Sequence, residues 1–161
     1  MVATAQTAMA QWQRIEALVQ AWLGERQQLL HLLTTVRNAC THPQPSNVIS
    51  ERVQQFCEVL MDYISAGYFE IYRELAREAR CFKRDNPALT HSIMQQLDSS
   101  TDEALAFNDD FDSEASIAMR YHQLASRLNA LQEKMEERFA LEDQLIVSIH
   151  QRDVPERTLV H

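Results

Sequence analysis

The scarcity of glycine and proline constrains the fold of this chain more than any other feature of its sequence. Among 161 residues, glycine occurs only at Gly24 and Gly67, and proline occurs four times. β-Hairpins and the tight turns of all-β domains rely on these residues, because glycine supplies positive φ angles and proline presets turn geometry. A chain with so few turn residues is predicted to be all-α.

Apolar residues recur every three or four positions in four long segments, the spacing that marks one buried face of a helix. These segments predict an antiparallel, up-and-down helical bundle of four main helices, with room for short extra helices. The recurring positions are Ile15, Leu18, Trp22, Leu29, Leu32, Leu33 and Val36 in the first segment, Val53, Phe56, Leu60 and Ile64 in the second, Leu89, Ile93, Leu97, Thr101, Ala104, Leu105 and Phe107 in the third, and Leu124, Leu128, Leu131, Met135, Phe139, Glu142, Ile146 and Ile149 in the last.

Three breaks separate or bend these segments. Prolines within residues 41–47 remove backbone donors and end the first helix. Asn86 and Pro87 restart the third helix as a cap and a first helical residue. A bend is predicted at Gly67, since glycine readily adopts the left-handed conformation that caps a helix C-terminus.

The last segment, from about 113 to 150, is long for a domain of this size. At 1.5 Å per residue it would span about 55 Å, whereas the radius of gyration of such a domain is about 15 Å. It is therefore predicted to overhang the bundle, or to bend or break near its start. We expect a single helical-bundle domain over residues 1–152, followed by a frayed tail over residues 153–161.

The charge and the cysteine content limit the kinds of partner and the cellular location that can be expected for this chain. The 23 acidic residues outnumber the 15 Lys and Arg residues, for a net charge of −8. With no basic patch, direct nucleic-acid binding and attachment to an anionic membrane are not expected. The N-terminus lacks the features of a signal peptide, and no apolar run is long enough to cross a membrane. Three widely spaced cysteines suit reduced thiols, so a cytoplasmic location is predicted.

The residues that usually carry catalytic or metal chemistry do not form a recognisable pattern. No histidine follows a glutamate by three positions, which excludes the paired motif of di-iron bundles. A calcium loop starting at Asp110 would place Ala115 and Tyr121 where glycine and glutamate are needed. Glycine-rich phosphate loops and CxxC pairs are also missing. The chain is predicted to be no enzyme, with no metal and no cofactor.

Three carboxylates stand out because they interrupt largely apolar helices: Asp62, Glu142 and Asp143. Burying a carboxylate without a partner destabilises a protein by several kcal/mol. Each is therefore either paired internally, with an arginine such as Arg26 or Arg138, or exposed on a surface that receives a basic partner. Similarly, the net charge of −8 either keeps the protein soluble or attracts a positively charged partner.

The same part of the chain carries a family resemblance. Residues 56–72 read F-C-x-x-L-x-D-Y-x-S-A-G-x-F-x-x-Y. With three further blocks, they resemble the regulator-of-sigma-D (Rsd/AlgQ) family of bacterial anti-sigma factors, and most closely its AlgQ branch. The other blocks are Trp22-Leu23-x-Glu25-Arg26 with Leu29, Ala104-Leu105-Ala106-Phe107-Asn108-Asp109, and Arg138-Phe139-x-Leu141-Glu142-Asp143-x-Leu145-Ile146. Tyr68 replaces the usual histidine and residues 110–127 match poorly, so no role is assigned to either.

The resemblance implies a helical bundle that binds the primary sigma factor of RNA polymerase. Family members bind the C-terminal region of sigma, which reads the promoter −35 element, and keep sigma from core enzyme. Phe69 and Tyr72 are the candidates for aromatic anchors in that complex, and the alternative for Phe69 is an ordinary position in the core. The full set of predicted partner-binding residues is Asp62, Tyr63, Ser65, Phe69, Tyr72, Glu142 and Asp143.

Two other classes of function remain open at this point. The first is a helical adaptor that joins other proteins without a role in sigma binding. The second is a bundle that binds a small molecule or a metal. The oligomeric state is not predicted from the sequence.

Overall fold

The computed structural model describes residues 2–42, 46–81 and 87–151, and these ranges are helical almost throughout. In chain order they form α1 (Val2–Thr41), α2 (Ser46–Ala66), the π-helical segment π1 (Gly67–Ile71), α3 (Tyr72–Cys81), α4 (Pro87–Phe111), α5 (Glu114–Leu145) and a second π-helical segment, π2 (Ile146–Gln151). These ranges contain no β-strand, and the predicted all-α class is confirmed.

Four long helices form the body of a bundle, as the hydrophobic periodicity predicts. α1 packs on α2 and α4 packs on α5, while α2 also contacts both α4 and α5. The short helix α3 packs against α1, π1 and π2. The second of the four predicted segments is therefore divided into α2, π1 and α3, and the last segment comprises α5 and π2.

The core consists of the predicted apolar faces, with aromatic rings at its centre. Trp22 stacks on Tyr63 with ring centroids 5.1 Å apart, and Phe107 lies edge-on to Phe56 at 5.7 Å. Val53, like these rings, is buried. Since burial of one large apolar side chain contributes about 1.5–3 kcal/mol, this shared core is the main source of stability. Of the predicted core positions, Leu18, Leu32, Leu89 and Thr101 are only partly buried, and Leu105 is exposed, so its predicted place on the buried face is wrong.

Gly67 does not cap a helix in the left-handed conformation, so that prediction is wrong. The backbone remains helical from Ala66 (φ −61°, ψ −44°) through π1 to Tyr72 (φ −63°, ψ −38°). Glycine is needed there for a different reason. A Cβ atom at this position would lie 3.0 Å from Cζ2 of Trp22 and 3.3 Å from the hydroxyl oxygen of Tyr72. The missing side chain lets α1 approach the junction of α2 and α3.

The start of α5 contains the predicted break. Ser113 caps the helix, because its extended backbone places its hydroxyl oxygen 3.1 Å from the amide of Ser116. About two turns after this cap, Arg120 has non-helical angles (φ −108°, ψ 15°) that kink the helix. Asp110, at the end of α4, lies 2.7 Å from Arg127 beyond the kink.

Two further sequence predictions concern the end of the chain and membrane spans. The frayed tail predicted for residues 153–161 lies outside the described residues. Within the described ranges, no helix combines the length and the apolar character needed to cross a bilayer.

Candidate functional site

The predicted site residues meet where α5 passes the junction of α2, π1 and α3. Glu142, near the end of α5, is completely buried and is the centre of the arrangement. Tyr63 of α2 donates a hydrogen bond of 2.5 Å to its Oε1, and Tyr72 of α3 donates one of 2.6 Å to its Oε2. Arg138 donates to Oε2 at 3.1 Å and Arg26 to Oε1 at 3.3 Å. One carboxylate therefore accepts four donors from four helices.

Arg138 extends this network to α4. Its guanidinium is buried, and beyond Glu142 it donates to the hydroxyls of Ser100 and Thr101, both at 2.9 Å, and to the Tyr72 oxygen at 3.1 Å. The planar fork of arginine allows one side chain to satisfy so many acceptors. Thr101 belongs to the predicted stripe of the third helix, whereas Ser100 was not among the predicted positions.

Arg26 extends the network to α1 and to the protein surface. It donates to the Tyr63 oxygen at 3.0 Å and to Asp143 at 2.7 Å, and its guanidinium lies 4.7 Å from the ring centre of Phe139. Asp143 keeps 56% of its side chain exposed. The two arginines therefore balance the two carboxylates, with Glu142 inside and Asp143 at the edge.

The environment determines which groups carry charge. Burial raises the pKa of Glu142, and the two guanidiniums and two hydroxyls that contact it oppose that rise and stabilise the carboxylate. Burial, reinforced by the charge of Glu142, also raises the pKa values of Tyr63 and Tyr72, so both stay neutral donors. Burial disfavours the charge on Arg26, but contacts with Tyr63, Asp143 and Glu142 outweigh that effect and raise its pKa.

This network is suited to holding helices together rather than to chemistry. Its carboxylate and hydroxyls are saturated by one another, which leaves no group aimed at a substrate. The nearby thiol of Cys57 is buried, and burial together with Asp112 raises its pKa to about 12, so it is a poor nucleophile. In the part of the chain that the structure describes, no three His, Cys, Asp or Glu side chains are placed to hold a metal ion.

The other predicted residues lie on the outside of the same junction. Asp62 and Ser65 are exposed on α2, and Phe69 of π1 is 59% exposed. Asp62 has no hydrogen-bond or ion-pair partner among the described residues. Glu25 of α1 and Glu70 of π1 are close by, since both Asp62 and Glu70 add to the effect of burial in raising the pKa of Glu25. We call these five residues the acidic surface.

Asp62 also borders a groove of about 630 Å³ between α2 and the end of α4. Glu58 and Asp112 line the same groove, so negatively charged side chains continue beyond the acidic surface.

Glu25 and Glu70 were not among the predicted site residues. Glu25 could have been predicted from the sequence, because it is one of the matching residues in the block that begins at Trp22. Glu70 could not, because it is not a matching residue in any of the blocks that resemble the family.

The structure separates the seven predicted partner-binding residues into two groups. Tyr63, Tyr72 and Glu142 are buried. They can therefore affect binding of a partner only indirectly, by positioning the residues at the surface. The exposed group is Asp62, Ser65, Phe69 and Asp143. The three carboxylates were predicted to be either paired internally or exposed. Glu142 and Asp143 pair with the predicted arginines, while Asp62 is exposed to solvent.

The geometry defines a helical bundle that is organised by a buried polar network and presents an acidic face, as expected of a regulatory binding protein. The chain belongs to the Rsd/AlgQ family, regulators of the RNA polymerase sigma(70) subunit, whose profile matches residues 1–150. The predicted family and the predicted anti-sigma class of function are thereby confirmed. The adaptor without a role in sigma binding is correspondingly disfavoured.

Individual relatives agree with this assignment. The chain is 28% identical over 138 residues to a Regulator of sigma D from Pectobacterium atrosepticum, with 83% of this chain and 88% of the relative covered. It is 30% identical over 133 residues to a Regulator of sigma D from Yersinia pseudotuberculosis, with 80% and 77% covered. No solved structure matches the chain. The closer affinity to the AlgQ branch stays a prediction.

Proposed function

We propose that this protein binds the C-terminal, −35-reading region of sigma(70) with its acidic surface and so keeps sigma from core RNA polymerase. It acts by occupying sigma, without catalysis, and it works in the cytoplasm where RNA polymerase is found. The observation that carries this proposal is the convergence of Glu25, Asp62 and Glu70, from three elements, beside the exposed ring of Phe69.

Charge complementarity supports this choice of partner. A domain that reads DNA is basic, because it must neutralise phosphates. The present chain carries a net charge of −8, and its acidic surface continues into the groove beside Asp62. Such complementarity mainly speeds the encounter, whereas tight binding depends on a few buried aromatic anchors. Phe69 is the exposed aromatic residue of this surface.

The interior network supports the proposal in another way. Tyr63 lies just before π1 and Tyr72 just after it, and both donate to the same carboxylate of Glu142. The segment that carries Phe69 is therefore fixed at both ends. A surface held in its binding conformation loses less entropy on association than a mobile one. We assign Tyr63, Tyr72 and Glu142 to positioning rather than to direct contact.

Competition with core enzyme tests the proposed function. Fluorescently labelled sigma(70) is mixed with the protein before core RNA polymerase is added, and holoenzyme formation is followed by anisotropy. We expect holoenzyme to decrease until the protein and sigma are equimolar, and an isolated C-terminal sigma domain to relieve the effect. Inactivation of excess sigma by trace protein would instead indicate catalysis, and relief by other sigma domains would place the contact elsewhere.

Asp62→Ala is expected to weaken binding of the isolated sigma domain by up to about fivefold, since an exposed ion pair contributes about 0.2–1 kcal/mol. The free energy of unfolding should stay within about 0.5 kcal/mol of wild type, because Asp62 is exposed and pairs with no other side chain in the part of the chain that the structure describes. Calorimetric titration and urea unfolding measure the two quantities. Glu133→Ala is the matched control: it removes the same charge from an exposed position of α5. Equal effects of both variants would show that net charge, and not the acidic surface, is responsible.

A further inference from the structure

A second buried polar cluster joins the two ends of the described chain. His150 of π2 and Glu78 of α3 are both completely buried, and Nδ1 of the imidazole lies 2.8 Å from Oε1 of Glu78. On the other side of the ring, Nε2 lies 3.4 Å from Oε1 of Glu16 in α1. Trp12 of α1 stacks on the imidazole at 4.6 Å, and its indole N–H donates to the His150 carbonyl at 3.0 Å.

The arrangement around the ring favours its cationic form. A neutral imidazole carries one hydrogen, so donation from Nδ1 to Glu78 would direct the Nε2 lone pair towards the carboxylate of Glu16. A protonated ring donates from Nδ1 to Glu78 and places its second positive N–H 3.4 Å from Glu16, which is an ion-pair contact rather than a hydrogen bond, since Nε2 has no hydrogen-bond partner among the described residues. The stacked indole of Trp12 also suits a cation.

The charged groups that act on His150 come from both helices packed against it. Among the described residues these are Glu16 from α1 and Glu78 from α3. Burial lowers the pKa of His150, but the hydrogen bond and charge of Glu78, together with Glu16, outweigh it and raise the pKa above its ordinary value. Glu78 depends on this partner, since its second oxygen, Oε2, has no hydrogen-bond partner in the described part of the chain.

We propose that protonated His150 is a pH-dependent latch that fastens π2 to α1 and α3. The latch is separate from the network around Glu142 and does not depend on the proposed sigma binding. When the ring loses its proton, Glu78 stays buried without a cation and the Nε2 lone pair faces Glu16. The neighbouring Arg14–Glu74 ion pair also connects α1 to α3, but Arg14 is exposed and such a pair contributes little.

The direction of the pH effect follows from the raised pKa. An unfolded histidine titrates near about 6.5. Because the folded protein holds the proton more tightly, the stabilisation is complete below that pH and is lost as pH rises through the folded pKa. Alkaline pH should therefore weaken the folded state, and π2 should be the first part to open.

Titration of the His150 ring by NMR, with urea unfolding from pH 6 to pH 9, tests the latch. We expect the ring to titrate above 6.5 and the folding equilibrium constant to fall by up to tenfold per pH unit before the folded pKa is reached. The protection of the π2 amides, taken relative to their intrinsic exchange rate at each pH, should decrease at the alkaline end. His150→Gln should remove most of this pH dependence. His122→Gln, at an exposed position of α5, should retain it.

Glu16→Gln keeps the test decisive if His150→Gln does not fold. Glu16 is only partly buried, so this variant should fold, and the midpoint of the His150 titration should move to lower pH. A wild-type midpoint at or below 6.5 would overturn the proposal. So would a midpoint unchanged by Glu16→Gln, or a pH dependence of unfolding that is the same in wild type and His150→Gln.

Discussion

Glu142→Ala is expected to lower the free energy of unfolding by about 3–5 kcal/mol, because it leaves two guanidiniums in the interior without their shared anion. Arg138 is buried beside it and Arg26 nearly so, and neither can lose its proton. Tyr63 and Tyr72 also lose a short hydrogen bond. Since a domain of this kind is stable by about 5–15 kcal/mol, the loss is a large share of the total. Urea unfolding followed by circular dichroism measures it.

The adjacent residue provides a matched control for this experiment. Asp143→Ala removes an ion pair to the same Arg26, at 2.7 Å, but from a side chain that is 56% exposed. Solvent screens that pair and can replace it, so we expect a loss of at most about 1 kcal/mol. Similar losses for the two variants would contradict the conclusion that Glu142 alone is the centre of the network.

Phe69→Ala is expected to weaken binding of the sigma(70) C-terminal domain by about 30-fold or more, with little effect on stability. Truncation of an aromatic anchor at the centre of an interface typically costs about 2 kcal/mol or more, and that energy corresponds to about 30-fold in Kd. The free protein should tolerate the change, since the side chain is 59% exposed. Calorimetric titration at constant salt gives the affinity.

Met119→Ala serves as the control for Phe69→Ala. Met119 is the more exposed of the two apolar side chains, at 70%, and it lies on α5 near the kink rather than on the acidic surface. We expect it to leave sigma affinity unchanged. An affinity that is insensitive to Phe69→Ala, or equally sensitive to both variants, would remove Phe69 from the interface.

Glu142→Ala is expected to affect stability and Phe69→Ala to affect binding, so residues that are close together serve different purposes. Tyr72 is three positions after Phe69, yet its hydroxyl is held in the interior by Glu142 while the ring of Phe69 faces outwards. Stability and binding should therefore be separable by mutation, even though the residues belong to one continuous stretch of sequence. This separation suits a protein that must present a rigid surface to its partner.

Composition and hydrophobic spacing were sufficient to predict the helical class and most of the core. Two glycines and four prolines left little room for β-turns, and residues such as Val53, Phe56 and Leu60 are buried as their spacing predicts. The break near the start of α5, observed at Arg120, also followed from helix length alone. These features are local: the period of a helix and its rise per residue are properties of a short stretch of chain.

The roles of the polar residues depend on contacts between helices, which local sequence patterns do not specify. Glu142 and Asp143 are adjacent, and spacing could not say which of them meets Arg26 inside the bundle, 116 residues earlier in the chain. Gly67 shows the same limit, because the need for glycine comes from Trp22 on another helix. The position of a buried charge depends on its partners. Three of the four donors to Glu142 and the partners of His150 come from helices that are distant in sequence. Hydrophobic spacing indicates which face of a helix is buried, but it does not indicate which side chains of other helices will contact that face.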